Sequence, residues 1–315
     1  MLTDREIGSL ITLLDEDDPE ILLHVQKELL ALGQVVLLPL LKVKQQSTNA
    51  LLQDRINHIL HLIQFNILQK NLKKWYESPE QDLLEGTCLV AQFQYPDVTP
   101  QYLLNQIDAF RTEIWLDMGY NLSPTEKVNR INWVLYKPNG FKGNTENYHH
   151  PDNSYLNRVL ETKKGSPILL SVIYILVAQR LHLPVFGVNL PQHFVCVYKE
   201  ENEPLDLNEP FNKTSTLNHK EGRPLFYINP FNQGAIFSKS NLEQFLKQLK
   251  MADNPDYYKA CSSLDIVKRI LRNLAVSFEQ SKNEAHFEEI KQLLLICGEQ
   301  FFPRPNQLNE DEDES

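Results

Sequence analysis

The sequence predicts an α+β fold in which a buried central helix packs against a small antiparallel sheet. The helix signal is Ser166-Pro167, followed by an almost uncharged run to Leu181. Serine is a good N-cap, and proline fits the first helical position, where its missing N–H costs nothing. Because the run is apolar on nearly every face, we expect this helix to be buried on nearly every side. Segments rich in β-forming residues follow it and predict strands near 184–188, 193–198 and 224–229.

Five segments resemble the signatures of the SirB-type transglutaminase-like family. In chain order they are GFKGN (140–144) with Tyr148 after it, NSYLN (153–157), GSPI (165–168), LPQHF (190–194) and INPFNQG (228–234). The resemblance covers about residues 125–250. It implies a papain/transglutaminase-like core, in which the central helix lies against the sheet and a histidine begins one strand.

The flanks of this core are predicted to be helical. Apolar residues recur at helical spacing through residues 1–95, and an acidic turn, a helix, a glycine and an LLPLL run resemble a HEAT-type pair. The core is predicted to span 96–250. Residues 251–302 read as a C-terminal helical pair with a tetratricopeptide-like segment, and 303–315 as a disordered acidic tail.

The composition and net charge of the chain indicate what kind of protein it is and which partners to expect. The 315 residues are 42% hydrophobic and 23% charged, which is ordinary for a globular protein. The net charge is −10, and removing the five acids at 310–314 leaves −5 for the rest. Nucleic-acid or anionic-membrane binding calls for a basic face, so we expect neither partner. No apolar run is expected to reach the roughly 18 residues of a spanning helix. The four dispersed cysteines are typical of free thiols, and a cytoplasmic location is predicted.

The resemblance also implies a site. A transglutaminase-type site needs a thiolate, an imidazole and a group that orients the imidazole. Aligned on the family pattern, the position of the nucleophile falls on Pro167, the imidazole on His193 and the orienting group on Asn229. Proline carries no nucleophile, and Ser166 is the hydroxyl next to it. We expect His193 to lie within hydrogen-bond reach of Asn229, with the N-terminus of the central helix directed at the His193 ring.

Other polar residues in these segments have both a structural and a functional interpretation. Asn153, Tyr155 and Asn232 are predicted to hold loops, with ligand binding as the alternative. Cys196 lies three residues after His193 on one predicted strand, so the two side chains should point to opposite faces. The nine histidines show no zinc-type spacing, so neither a metal nor another cofactor is predicted.

Two hypotheses for function remain open. In the first, the core has lost its cysteine chemistry, and the chain is a binding or regulatory module whose helical flanks dock protein partners. In the second, it is an amide hydrolase or acyl-transferase that uses Ser166 and His193. A short distance between the Ser166 Oγ and a His193 nitrogen would favour the enzyme. A serine hydroxyl turned to the helix N–H groups would favour the module.

Overall fold

The computed structural model describes residues 4–119, 121–191, 193–200, 222–248, 250 and 254–299. The fold divides into two compact units, Met1–Lys74 and Trp75–Ser315. The sequence prediction placed this division at residue 95. The structure places it earlier because the helix after residue 82 packs with helices of the second unit.

The first unit is built from helices. They are α1 (Asp4–Thr12), α2 (Pro19–Leu32), α3 (Leu37–Gln46) and α4 (Ala50–Glu77), of which α4 continues past the boundary. Asp18 caps α2 by accepting from the Glu20 N–H at 2.8 Å, with Pro19 at the first helical position. Gly33, at φ +60°, ends α2. A compact core of aliphatic side chains, which includes Val25, Leu29 and Leu40, joins the helices.

One stretch of this unit corrects an expectation from the sequence. Among the described residues, the helical run Pro19–Gln46 is long and apolar enough to cross a membrane by length and composition. It is not one straight helix, because Gly33 ends α2 and a 3-10 turn at 33–36 precedes α3. Neither α2 nor α3 alone has the length that a membrane span requires.

The second unit begins with the end of α4 and contains both helices and strands. Its further helices are α5 (Leu83–Gln92), α6 (Pro100–Leu116), α7 (Pro124–Tyr136), α8 (Leu156–Thr162), α9 (Pro167–Arg180), α10 (Lys239–Gln248), α11 (Ser263–Gln280) and α12 (Glu284–Ile296). Its strands are β1 (Lys142–Gly143), β2 (Lys164–Gly165), β3 (Val185–Leu190), β4 (His193–Lys199), β5 (Pro224–Asn229) and β6 (Ala235–Phe237).

The strands form one main sheet and one small ribbon. β3, β4, β5 and β6 pair in that order, and each pair is antiparallel. β1 and β2 form a short parallel pair next to the start of α9. The mostly helical chain with a small antiparallel sheet confirms the predicted α+β fold with helical flanks.

The central helix is where the sequence predicted it. Every residue from Ile168 to Ala178 is buried, with α6 among the helices packed on it and β3 and β4 among the strands. Arg180, in its last turn, forms a bidentate ion pair with Asp108 of α6, with distances of 2.6 Å and 3.0 Å. The opposite end of α9 begins at Ser166 and Pro167, the residues of the predicted site.

Two segments lie outside the described residues. They are residues 201–221, between β4 and β5, and the predicted acidic tail at 303–315. The helices α11 and α12 pack on each other, and α11 also contacts α5, α9 and β3. The tetratricopeptide-like and HEAT-like descriptions stay predictions.

Candidate functional site

Ser166 is the N-cap of α9, and its hydroxyl is engaged on both sides. Its Oγ donates to the Asn153 carbonyl at 2.9 Å and accepts from the Leu169 N–H at 3.5 Å. The Ser166 N–H donates to the same carbonyl at 3.3 Å. The residue is buried, while Pro167 beside it is half-buried. The hydroxyl therefore serves the backbone at the start of the helix.

Asn153 connects this helix start to the preceding loop. The Asn144 Nδ2 donates to the Asn153 Oδ1 at 2.8 Å. The Asn153 Nδ2 donates to the carbonyls of Asn147 and Tyr148 at 2.6 Å and 3.0 Å. Both polar atoms of this buried side chain therefore have hydrogen-bond partners in the loop. The Asn153 backbone carbonyl accepts from Ser166. Its geometry is that of a loop-holding residue.

Tyr155 lies two residues further on and is 1% exposed. Its ring meets the Tyr95 ring edge-on, with 5.5 Å between centroids. Burial raises the pKa of the Tyr155 phenol, and the nearby Tyr95 and Asp152 add to the effect. Within the described part of the chain its hydroxyl has no hydrogen-bond partner. Tyr155 therefore acts mainly as an apolar packing residue.

His193 occupies the face of the sheet that turns away from α9. Val195 and Val197 of β4 pack with Leu242 and Leu246 of α10. Because strand residues alternate, His193 shares that face, and its ring contacts the Phe245 ring of α10 at 4.7 Å. The expectation that the start of α9 is directed at this ring stays a prediction. The residues of β4 that alternate with His193, Val195 and Val197, such as Cys196, face α9 instead.

Asn229 also has a different partner from the expected one. Its Oδ1 accepts from the backbone N–H groups of Phe231 and Asn232 at 3.1 Å and 3.2 Å. It pairs with Ala235 of β6, and no hydrogen bond joins it to His193, although both residues are described. The predicted contact is therefore wrong. The Asn229 side chain is hydrogen-bonded within the local turn that begins at Asn229-Pro230, as is common for short polar side chains.

The remaining candidates have simpler environments. Asn232 is exposed, and among the described residues its hydrogen bond is the one from its backbone N–H to the Asn229 side chain. Cys196 lies on the α9 face of β4, where its Sγ donates weakly to the Ser171 carbonyl at 3.9 Å. This confirms that Cys196 and His193 point to opposite faces. Burial raises the pKa of the Cys196 thiol.

The structure adds a polar cluster that sequence reasoning missed. The Asn132 Nδ2 of α7 donates to the Gly234 carbonyl at 2.8 Å. The Tyr174 hydroxyl of α9 donates to the Asn132 Oδ1 at 3.0 Å. Asn132 thus joins α7, the central helix and the turn after β5. No motif marks Asn132, because only the packing of three separate segments brings these atoms together.

The cysteines lead to a testable prediction about reactivity. All four are free, three are buried and Cys261 is half-buried. Burial, the largest cause in each case, raises the thiol pKa to about 12 for Cys88, Cys261 and Cys297. We expect iodoacetamide to label each native thiol at least about a hundredfold more slowly than free cysteine at neutral pH, because the thiolate is the nucleophile. Peptide mass spectrometry measures this, with urea-unfolded protein as the fully labelled control. Rapid labelling of Cys196 that depends on His193 would contradict it.

Among the residues that the structure describes, no group of three or more His, Cys, Asp and Glu side chains is placed to hold a metal ion. The geometry around Ser166 therefore consists of a capped helix start, an asparagine-held loop and the Asn132 cluster.

Comparison of the sequence with known proteins identifies relatives of this chain. A UPF0162 protein of Xylella fastidiosa (strain 9a5c) is 32% identical over 196 residues, which are 61% of this chain and 63% of the relative. F-box only protein 21 of Homo sapiens is 26% identical over 223 residues, which are 61% of this chain and 35% of the relative. A UPF0162 protein of Vibrio cholerae is 23% identical over 186 residues, which are 55% of this chain and 61% of the relative.

The chain therefore spans less than two thirds of the length of these relatives. No solved structure was found to match it. The family model described as the transglutaminase-like superfamily matches residues 101–272, which are more than half of the chain. The matched range includes the capped start of α9, the whole antiparallel sheet and the first ten residues of α11, and this chain belongs to the transglutaminase-like superfamily.

Proposed function

We propose that this chain is a non-catalytic transglutaminase-like protein that acts as a binding or regulatory module. The observation that carries the proposal is the start of α9. Pro167 stands at the first helical position, where the family pattern has its nucleophile, and a proline side chain cannot attack a carboxamide. We further propose that the chain is of the SirB type and acts in the cytoplasm.

The alternative, an amide hydrolase or acyl-transferase using Ser166 and His193, has less support. A serine nucleophile needs a base within hydrogen-bond reach of its hydroxyl. The Ser166 hydroxyl donates to the Asn153 carbonyl and accepts from the Leu169 N–H in the first turn of α9. The His193 ring lies on the opposite face of the sheet, against Phe245. Both observations favour the module.

An exposed aromatic surface supports protein binding. Trp115 on α6 and Trp133 on α7 are 47% and 54% exposed. Arg130 of α7 pairs with Asp117, just after α6, at 2.6 Å, and the Asn139 Nδ2, just after α7, donates to Glu113 of α6 at 3.3 Å. Exposed tryptophans beside charged residues are typical of the anchor residues in protein interfaces. We propose that partners are proteins, and not nucleic acid or membrane.

A turnover assay tests the proposal. Amine incorporation into a glutamine-containing protein and hydrolysis of a glutamine peptide are measured for the natural chain, Ser166→Ala and His193→Ala. We expect all three rates to equal the rate without protein, because no activated nucleophile is present. Turnover that falls in both variants would overturn the proposal in favour of the enzyme.

A second variant tests whether the site could hold a thiol. In Pro167→Cys the new side chain stands at a helix N-terminus, which lowers a thiol pKa. We expect iodoacetamide to label residue 167 faster than any natural cysteine of the chain. Equal or slower labelling would show that this position does not present a side chain as the family pattern requires.

The docking surface is tested separately by partner capture. We expect Trp133→Ala to lose proteins that the natural chain retains. Tyr102→Ala is the matched control, because Tyr102 is 40% exposed at the other end of α6. Equal losses in both variants would remove the tryptophan surface from the proposal.

A further inference from the structure

Three aromatic side chains, Tyr148, His149 and Phe231, form an aromatic row on two neighbouring loops, residues 143–150 and 229–234. The Tyr148 ring meets the His149 ring edge-on with 5.1 Å between centroids, and the Phe231 ring edge-on with 6.4 Å. Tyr148 is 45% exposed, His149 is exposed and Phe231 is half-buried. Aromatic side chains that remain open to solvent are enriched at protein interfaces.

Hydrogen bonds and packing fix both loops that carry the aromatic row. The Asn153 Nδ2 donates to the Tyr148 carbonyl at 3.0 Å, and the Phe231 N–H donates to the Asn229 Oδ1 at 3.1 Å. The Phe231 ring lies directly against Gly143, where a Cβ would collide with it. Because the rings are held in place before a ligand arrives, little conformational entropy is lost on binding.

Polar groups beside the aromatic row have donors that no described residue uses. The Tyr148 hydroxyl has no hydrogen bond within the described part of the chain. The same holds for the side chain of Asn232, the exposed residue that follows Phe231 in the turn. A hydroxyl and a carboxamide NH₂ can each donate to a carbonyl oxygen of a ligand.

The two loops carry little formal charge. Of the Asp, Glu, Lys and Arg side chains, residues 143–150 and 229–234 contain Glu146 alone, and it pairs with Lys164 at 3.5 Å. A charged ligand would find no unpaired opposite charge among the acids and bases of these loops. Because interfaces match the charge of their partners, the aromatic row favours an uncharged ligand.

We propose that the aromatic row binds an uncharged, proline-containing segment of a partner protein in the polyproline II conformation. The inference rests on the proposed binding function and names the chemistry of the partner segment. Proline-rich segments dock on aromatic side chains, and their carbonyls are free because polyproline II makes no internal hydrogen bonds. Two residues of such a segment rise by about 6 Å, close to the 5.1 Å and 6.4 Å between neighbouring rings.

A titration of the full chain, followed by nuclear magnetic resonance of its histidine rings, tests the proposal. The probes are decaproline and a ten-residue glycine–serine peptide, both with blocked ends, and decathymidylate. The His149 signal is assigned with His149→Gln. We expect decaproline to shift this signal and the glycine–serine peptide to leave it unchanged. In Tyr148→Ala the affinity for decaproline should fall about tenfold or more, because aromatic anchors dominate binding energy.

Tyr102→Ala is the matched control, because Tyr102 is a tyrosine of similar exposure, 40%, on α6 and outside both loops. Its affinity for decaproline should stay within about twofold of that of the natural chain. Asn232→Ala removes one exposed donor, so this variant tests the site even if Tyr148→Ala disturbs the loop. We expect its affinity to fall about threefold, as for the loss of one hydrogen bond.

An unshifted His149 signal, or equal affinity in Tyr148→Ala and the natural chain, would overturn the proposal. Equal shifts with the glycine–serine peptide would overturn the assignment to proline. A shift with decathymidylate alone, or a dimer that Tyr148→Ala dissociates in analytical ultracentrifugation, would overturn it in favour of nucleic acid or of a second copy. Amide turnover would overturn the proposed function but not this binding result, so the two failures are distinguishable.

Discussion

Gly234→Ala is expected to lower the free energy of unfolding by about 3 kcal/mol, as the sum of a strained backbone and a broken buried hydrogen bond. Gly234 has φ +70°, and a Cβ there would lie 1.9 Å from the Asn132 Oδ1. Asn132 must move away, which breaks its bond to the Gly234 carbonyl and leaves the buried Tyr174 hydroxyl with only its longer contact, to the Val128 carbonyl at 3.4 Å. Urea unfolding measures the change.

Gly140→Ala is the control for this variant. Gly140 has φ +67°, almost the same backbone, but a Cβ there meets no atom within 4 Å. It should lose only about 1 kcal/mol, the cost of placing alanine at a positive φ. Equal losses in the two variants would show that backbone strain alone accounts for the effect, and that the Asn132 cluster contributes little.

Asn153→Ala is expected to lower the free energy of unfolding by about 3 kcal/mol, because it removes three part-buried hydrogen bonds, each of which contributes about 1 kcal/mol. The variant removes the side chain that pairs with Asn144 and with the carbonyls of Asn147 and Tyr148. Urea unfolding again measures the change.

Asn232→Ala provides the comparison, since Asn232 is another asparagine of the family-like segments. Its side chain is exposed and has no hydrogen bond to any residue that the structure describes. The free energy of unfolding should change by no more than about 0.5 kcal/mol, as for most surface substitutions. A large effect of Asn232→Ala with a small effect of Asn153→Ala would reverse the roles that the hydrogen bonds indicate.

Local signals in the sequence were enough to locate the main elements. Ser166 caps α9 as expected, and Ser123 and Glu126 form a capping box at the start of α7. These signals work because a cap and the first turn lie within four residues of each other. The alternation of β4 was predicted for the same reason, so Cys196 and His193 were correctly separated.

The faces and partners of the candidate site were decided by tertiary structure. Alternation says that His193 and Cys196 point apart, but not which of them covers α9, because that depends on where α10 packs. For Asn229 the prediction overlooked a local turn. The Asn229 Oδ1 accepts from the backbone N–H groups of Phe231 and Asn232, so its partners lie in the turn and not across the sheet. Its position before Pro230 was a signal for that turn.

The sequence by itself determined the fold class, the central helix and its proline start, because these follow from composition and from spacings within a few residues. It did not determine that Asn132 would join α7 to the turn at Gly234 and to Tyr174 of the central helix. Those contacts connect residues far apart in the chain, through positions that no periodicity marks. Only the packed structure brings them together, since side-chain partners depend on how whole elements are placed.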